Sequence, residues 1–348
     1  MQDLQSHIIR SEATVKDALE KLNSLSDNLT LFVINENNKL IGSVTDGDIR
    51  RAFLREYNTQ SSILDVMQRN FLCLKKSKFS LEEVKEIKRK KIFILPIIEE
   101  DGTISKIINL EEKKSLLPID AFLVAGGEGR RLKPFTDNVP KPLLIVGDKP
   151  IIAHNTKRLE DYGVENIIIS VKYLSEQIED YFNNKSKHLT SISFVKEDKP
   201  LGTIGAITLV SNFYHNVILV MNSDLLTNID FEDFYESFTK SNADAALATT
   251  AYNVNIPYAV VETEYGYITA LKEKPTYTYY SNAGIYLFKK ELLQLIPRNT
   301  HFNATDFIDS IIKAGKKVYS YPMLDYWLDI GRHEDFQKAQ EDIKHLKL

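Results

Sequence analysis

The stretch that most constrains this chain runs from Asp120 to Pro142, D-A-F-L-V-A-G-G-E-G-R-R-L-K-P-F-T-D-N-V-P-K-P. An apolar run, Ala121 to Ala125, leads straight into Gly126, Gly127 and Gly129, and then into Arg130, Arg131 and Lys133. A buried strand thus delivers backbone almost bare of side chains to a point of close approach. Glycine permits positive φ and near contact, and successive N–H groups in such a turn form a concavity for anions. Arginine adds bidentate donors for phosphate. The expectation is a loop that holds a nucleoside triphosphate, with Ala125, Gly126, Gly127 and Gly129 as its cradle. Two other phosphate motifs fit badly. Counting from Gly127, the third glycine of G-x-G-x-x-G falls on Leu132, and no Gly-Lys-Ser/Thr opens a helix here. A plain turn uses the same residue types, and the P-K-P that follows weighs against it.

A chain of 348 residues calls for two or more domains. A net charge of −4 gives no reason to expect nucleic-acid binding. Cys73 is the only cysteine, which excludes a disulfide framework and a thiolate metal cluster. The N-terminus lacks the apolar core of a signal peptide, and no apolar run is long enough to cross a bilayer. The expectation is a cytoplasmic protein without a membrane partner.

The first third, 1–115, contains a repeat. Thr14 caps T-V-K-D-A-L-E-K-L, with Val15, Ala18, Leu19 and Leu22 on one face. Two strands follow around an Asn-rich turn, then T-D-G-D-I-R-R-A-F-L opens another helix. The order recurs from Ser80, so that Ile34 falls on Ile98, Asn38 on Gly102, Leu40 on Ile104 and Val44 on Ile108. The two units resemble a tandem pair of cystathionine-β-synthase (CBS) domains, an α+β module. Gly42 to Asp48 matches that family's G-x-x-T-x-x-D motif, and the resemblance implies that Thr45 and Asp48 hold a regulatory nucleotide. Asn109 and Glu112 depart from the motif in the second unit. Helix capping accounts for Thr45 and Asp48 equally well, and such a pair also serves as a dimerisation module. Leu110 to Pro118 reads as a short hinge or helix between domains.

From 119 to 348, strands alternate with helices: a helix near 151–162, N-I-I-I-S-V, a helix over 175–182, S-I-S-F-V, helix I-G-A-I-T-L-V and strand N-V-I-L-V-M. That alternation predicts a doubly wound, mostly parallel α/β sheet, with ligands beyond the carboxyl ends of its strands. Lys141, between two prolines, is expected in an extended segment that aims one cation. Gly202, Thr203 and Gly205 open a helix start suited to a base, ribose or anion. Asp224 ends an apolar run, and Asp230 already stands ready to cap the next helix. Asp224 therefore reads as a magnesium ligand. Glu273 and Lys274 precede Pro275, and Asn282 and Gly284 interrupt an apolar strand, where glycine marks a close approach. Asp329 precedes a helix and suits either its N-terminus or a metal.

The motifs G-G-E-G-R-R-L-K-P-F-T, P-K-P, L-G-T-I-G, N-S-D, E-K-P, N-A-G-I-Y and W-L-D-I-G resemble, in order, those of the sugar-1-phosphate nucleotidyltransferases. The resemblance covers the chain from Ile119 onward; Arg130 departs from it, where threonine is common. It implies a Rossmann-like, GT-A-type domain that transfers a nucleoside monophosphate to a sugar 1-phosphate with Mg²⁺. Gly126, Gly127, Gly129, Gly202 and Thr203 would hold the nucleotide, and Arg131 and Lys141 the reacting phosphates. Glu273, Lys274, Asn282 and Gly284 would hold the sugar phosphate, and Asp224 and Asp329 the metal. More narrowly, a CBS pair ahead of such a domain resembles the glucosamine-1-phosphate guanylyltransferases of bacterial legionaminic acid synthesis, which implies GTP, glucosamine 1-phosphate and a homo-oligomer. UTP, dTTP or CTP and mannose or heptose 1-phosphate are the alternatives. A non-catalytic nucleotide sensor is the alternative of another class.

Overall fold

The computed structural model describes residues 4–25, 28–76, 78–184 and 190–346. The outermost residues of both expected domains, 1–3 and 347–348, lie outside them. The chain divides into two compact units, Met1–Pro118 with Asp161–Gly163, and Ile119–Glu160 with Val164–Leu348.

The first unit is the repeat in three dimensions. Strand β1 (Ile8–Arg10), helix α1 (Val15–Asn23) and strands β2 (Thr30–Ile34) and β3 (Leu40–Thr45) lead into α2 (Asp46–Phe53) and α3 (Ile63–Val66). Then β4 (Leu74–Lys75), α4 (Leu81–Arg89), β5 (Ile94–Ile98) and β6 (Ile104–Asn109) repeat the opening. Each half has a three-stranded sheet with one parallel and one antiparallel pair. The duplication reaches fine detail. Both antiparallel pairs slip register at the same place, Val33/Ile34 and Ile97/Ile98, and both turns place a positive φ at the matching residue, Asn38 and Gly102. Thr14 and Ser80 cap α1 and α4 through their side chains. No helix follows β6 as α2 follows β3. Asn109 instead accepts the N–H of Glu111 at 3.0 Å, a side-chain turn that competes with helix formation. The stretch after Leu110 carries no helix, and Leu110, Ser115, Leu116 and Leu117 are buried; the division between the two units falls at its end, Pro118. Leu110 and Leu116 join the core with Leu74, Leu95 and Ile97 of the β4–β6 sheet.

The second unit begins with β7 (Ile119–Val124), the short strands β8 (Ile145–Val146) and β9 (Lys149–Pro150), and helix α5 (Ile151–Asp161). There follow β10 (Asn166–Val171), α6 (Ser175–Asn183), β11 (Ser191–Lys196), β12 (Val217–Asn222), β13 (Leu225–Thr227) and α7 (Phe231–Lys240). The last part holds β14 (Ala245–Asn255), β15 (Val260–Glu264), β16 (Tyr267–Lys272), β17 (Thr276–Lys289), α8 (Ala304–Lys313), β18 (Val318–Pro322), β19 (Trp327–Asp329) and α9 (His333–Asp342). The central sheet has the order β11-β10-β7-β12-β17-β14-β18, and only β17 runs against the others. Phe122, Val220 and Phe288 lie in the core on one face of this sheet, where α8 contributes Phe307 and Ile311.

The crossovers β7-α5-β10 and β10-α6-β11 run to one side of β7, and β12 lies on the other. The carboxyl ends of β7 and β12 therefore flank a topological switch point, where a doubly wound sheet opens a crevice. One expected helix is reduced. Over 204–210 there is only a 3₁₀ segment, Gly205–Leu209, because the N–H groups of Ile204 and Gly205 turn to the carbonyl of Phe302. At the other end, β14 and β17 stay paired past the sheet, from Thr249↔Asn282 to Asn255↔Thr276, and carry the β15–β16 hairpin as a solvent-exposed arm.

Candidate active site

At the mouth of β7 the ladder continues one residue, with the Ala125 N–H donating to Ser170 O at 3.0 Å, and then the glycines leave the sheet. A Cβ on Gly126 would lie 2.6 Å from a carboxylate oxygen of Glu197, so a larger residue there would displace that side chain. Gly129 has φ +62°, and a Cβ there would press on Lys141 and Thr136 at 3.0 Å. The loop, Lys172, Glu197, Pro200, Gly202, Thr203 and His301 line a cleft of about 380 Å³. A lobe of about 270 Å³ shares Gly127, Gly129 and Arg130 with it and adds Arg131, Lys141, Asp224 and Gly331.

In that smaller lobe charges of opposite sign meet at close range. Strands β13 and β19 pair antiparallel with Leu225 opposite Asp329, which brings Asp224 beside Asp329. Lys141 Nζ donates to Asp224 Oδ2 and lies 3.8 Å from Asp329 Oδ1. Lys141 is not extended as expected. It opens a 3₁₀ turn, because the Leu143 N–H donates to Pro140 O at 2.8 Å. The turn points its side chain inward, where it is 11% exposed. Burial and the neighbouring Asp224 charge push the Asp329 carboxyl above the usual carboxylate range, against the pull of Lys141 and Arg131. Its Oδ1 is buried with no hydrogen-bond partner. Capping does not explain either aspartate. Asp230 caps α7 by accepting from the N–H groups of Glu232 and Asp233, and Asp335 accepts the Arg332 N–H at the start of α9.

An orphaned carboxylate oxygen beside a second carboxylate suits a hard cation. Among the described residues no group of three or more His, Cys, Asp or Glu side chains could hold a metal. A cation here would therefore be held by two carboxylates and complete its shell with substrate oxygens and water, the habit of Mg²⁺.

The other expected residues divide. Thr203 lines the cleft, but its hydroxyl accepts the Ala304 N–H at 2.8 Å, at the start of α8. Asn282 bridges Tyr286 Oη (2.8 Å) and the N–H of Gly284 (2.8 Å), and Gly284, with φ +72°, packs against the side chain of Asn222. Trp327 Nε1 donates to Ala283 O. These residues adjoin the end of β12 and so the Asp224 side of the crevice. Glu273 and Lys274 are exposed in the turn between β16 and β17 and line neither lobe of the cleft. In the first unit, Thr45 and Asp48 form a reciprocal capping box on α2, and Asp48 Oδ1 also accepts from Arg51 (2.6 Å) and Gln68 (2.9 Å).

Comparison with known proteins agrees with this geometry. The profile of the nucleotidyl transferase family matches residues 120–345, and that of the CBS domain matches residues 4–55. The chain belongs to the nucleotidyl transferase family. It is 34% identical over 230 residues to the bifunctional protein GlmU of Methanocaldococcus jannaschii, covering 64% of this chain and 54% of that one. It is 32% identical to a mannose-1-phosphate guanyltransferase of Yarrowia lipolytica, covering 62% and 61%. Against the D-glycero-alpha-D-manno-heptose 1-phosphate guanylyltransferase of Aneurinibacillus thermoaerophilus the identity is 30%, covering 65% and 99%. The chain thus spans little more than half the length of the first of these relatives. The crystal structure of HddC from Yersinia pseudotuberculosis aligns with a TM-score of 0.52 at 27% identity, over 64% of this chain and 99% of that one.

Two residues of the nucleotidyl transferase unit had no sequence signal of their own. Glu197 is an acidic residue in a polar run, and only the fold turns it under Gly126. Asn155 sits mid-helix in α5, 2% exposed. Its Nδ2 donates to Ser223 O (3.1 Å) and Leu225 O (3.0 Å), the carbonyls on either side of Asp224. An apolar helix face with one buried amide is the available hint. Asn155→Ala strands two buried carbonyls, at a cost of about 1–3 kcal/mol, and loosens Asp224. The expected result is a lowered melting temperature with at least a roughly tenfold fall in kcat/KM for nucleotidyl transfer. Unchanged kcat/KM with the same loss of stability would reduce Asn155 to packing.

Proposed function

We propose that this protein transfers GMP from GTP to a sugar 1-phosphate, releasing pyrophosphate, with glucosamine 1-phosphate as the sugar substrate. The observation that carries the transfer reaction is the adjacency of Asp224, Asp329 and Lys141 at the switch point, beside a glycine loop that opens a two-lobed cleft. The larger lobe fits base and ribose between Gly126, Gly127, Gly202 and Thr203, and the smaller fits phosphates among Arg131 and Lys141.

A sugar-phosphate oxygen is already anionic near neutral pH and requires no general base. It forms a bond to the α-phosphorus, and the bond from that phosphorus to the bridging oxygen breaks, the electron pair leaving with pyrophosphate. The obstacle is the repulsion between two phosphates. Arg131 and Lys141 offset it, align the attack and stabilise the charge that builds on the α-phosphoryl group. Mg²⁺ on Asp224 and Asp329 would add Lewis-acid polarisation and further charge compensation. Asn282 and Gly284 would line the sugar side, with Glu273 and Lys274 on the sugar and its phosphate.

Glu197 supports guanine. Its carboxylate is buried at the end of the larger lobe. Oε2 accepts the Leu201 N–H at 3.0 Å, and Oε1 is the atom nearest Gly126. An ionised carboxylate only accepts hydrogen bonds. Guanine offers adjacent N1–H and N2–H donors, whereas uracil and thymine flank a single N–H with two carbonyls. The guanyl- and guanylyltransferase names of relatives are in keeping with this reading. For the sugar, mannose and heptose 1-phosphates are the alternatives.

Pyrophosphate release across a matrix of nucleoside triphosphates and sugar 1-phosphates tests this directly. GTP with glucosamine 1-phosphate should give the highest kcat/KM, and Asp224→Asn should abolish turnover. No preference for GTP would remove the guanylyl assignment. Glu197 adds a pH signature. Burial raises its pKa above the ordinary glutamate value, so the accepting form is present above that raised pKa and is lost as pH falls through it. kcat/KM for GTP should therefore fall on acidification at a pH above the usual glutamate range. Glu197→Gln should flatten that limb and narrow the preference for GTP over UTP; an unchanged profile would release Glu197 from the base.

For the first unit we propose a regulatory nucleotide at Thr45 and Asp48. It would have to draw Asp48 away from Arg51 or Gln68. Calorimetry of the full chain with Asp224→Asn, titrated with AMP, ADP and ATP, should give heat that Asp48→Ala removes. No heat with any of them would leave assembly as the role of this unit.

A further inference from the structure

Two side chains of opposite charge stand at one corner of the larger lobe, and the proposed transfer gives only Glu197 a role there. Strands β10 and β11 run parallel, with Val171 paired to Lys196 and the Glu197 N–H donating to Val171 O at 3.0 Å. Lys172 and Glu197 therefore leave the sheet side by side, on chains about 4.8 Å apart. Gly126 lies against both: a Cβ there would be 2.6 Å from Glu197 Oε1 and 3.5 Å from Lys172 Cβ. The ends of β7, β10 and β11, neighbours in the sheet, thus meet at this corner.

Lys172 is half-buried and lines the larger lobe, whereas Arg131 and Lys141 line the smaller one. Its ammonium forms no hydrogen bond or ion pair among the described residues. Glu128, a second carboxylate of the larger lobe, is taken by Arg130 at 2.6 Å. The Lys172 charge still reaches Glu197. Burial raises the Glu197 pKa, and the Leu201 N–H and the Lys172 charge pull against that rise.

The corner therefore presents a group that only accepts hydrogen bonds beside one that only donates them. The bases differ in what they offer such a pair. Guanine carries N1–H and N2–H next to the O6 acceptor. Adenine and cytosine carry an amine where guanine has O6, and uracil and thymine carry a carbonyl there beside a single N–H. An ammonium separates keto from amino bases, and a carboxylate separates the two donors of guanine from the one of uracil. Lysine on the O6 edge is an ordinary guanine contact.

We infer that Lys172 donates to O6 of the guanine whose N1–H and N2–H groups Glu197 accepts, and is a second specificity residue of the nucleotide site. This rests on the proposed use of GTP and adds the residue that turns away ATP and CTP.

The test changes one atom of the base and one side chain of the protein. 6-Thio-GTP keeps N1–H and N2–H but has sulfur, a weak acceptor, in place of O6. Wild-type kcat/KM should be on the order of tenfold higher for GTP than for 6-thio-GTP, the worth of one charge-assisted hydrogen bond. Lys172→Met keeps the stem and removes the ammonium. It should bring that ratio to about one, and Lys172→Arg should restore most of it. Lys172→Met should also narrow the preference for GTP over ATP. It should leave the GTP-to-ITP ratio unchanged, because inosine shares O6 and lacks only the 2-amino group that faces Glu197. An equal fall for GTP, 6-thio-GTP and ATP would put Lys172 on the phosphates and overturn the proposal, as would an unmoved ratio. A wild-type enzyme with no preference for GTP over UTP would overturn the guanine reading itself. That preference, kept beside an unmoved 6-thio-GTP ratio, would overturn the Lys172 assignment alone.

Discussion

Two carboxylates held side by side in a partly enclosed lobe repel each other, and the second unit is arranged around tolerating that. Asp224 and Asp329 come from strands more than a hundred residues apart in sequence, joined by the short β13–β19 pairing. Lys141 is the cation that makes the adjacency affordable, and Lys141 is placed in turn by a 3₁₀ turn that packs under Gly129. Asn155 then fixes the loop from behind through the carbonyls on either side of Asp224. Burial first, and the neighbouring Asp224 charge second, raise the Asp329 pKa against the pull of Lys141 and Arg131. Two adjacent carboxylates, one with a buried oxygen that has no hydrogen-bond partner, give the site reason to bind a divalent cation.

The sheet explains why this charge lies next to a bare loop. β7 and β12 are neighbours and parallel, with Asn222 in register with Val124. The residues that follow each strand, Gly126–Gly129 on one side and Asp224 on the other, therefore leave the sheet at the same level. Burial of β7, β10 and β12 on both faces fixes that register, because a slip would move several core side chains at once. The polar site inherits its precision from an apolar ladder.

The local parts were legible in the sequence because local physics decides them. The apolar run into Gly126 marks a strand and its exit, Asp230 marks the start of α7, and the Ile34-to-Ile98 spacing marks a duplication that the structure repeats down to its bulges. The errors arose where distant backbone intervened. The carbonyl of Phe302 draws the N–H groups of Ile204 and Gly205 and reduces a helix to one 3₁₀ segment, and no pattern within 204–210 could announce it. Glu197 and Asn155 were missed for the same reason: each acts on residues 68 or more positions away.

The two halves of the first unit show how the same fold element is kept or given up. In the first, Thr45 and Asp48 cap α2 reciprocally, and Arg51 and Gln68 also bind the Asp48 carboxylate, holding its pKa below the usual range despite burial. In the second, Asn109 occupies the position of Thr45 but spends its side chain on Glu111 in a turn, and its Nδ2 reaches Glu112 at 3.2 Å. Threonine and aspartate three residues apart can each serve the other's N–H, which starts a helix. The two departures, Asn109 for threonine and Glu112 for aspartate, thus coincide with the place where the second half has no helix.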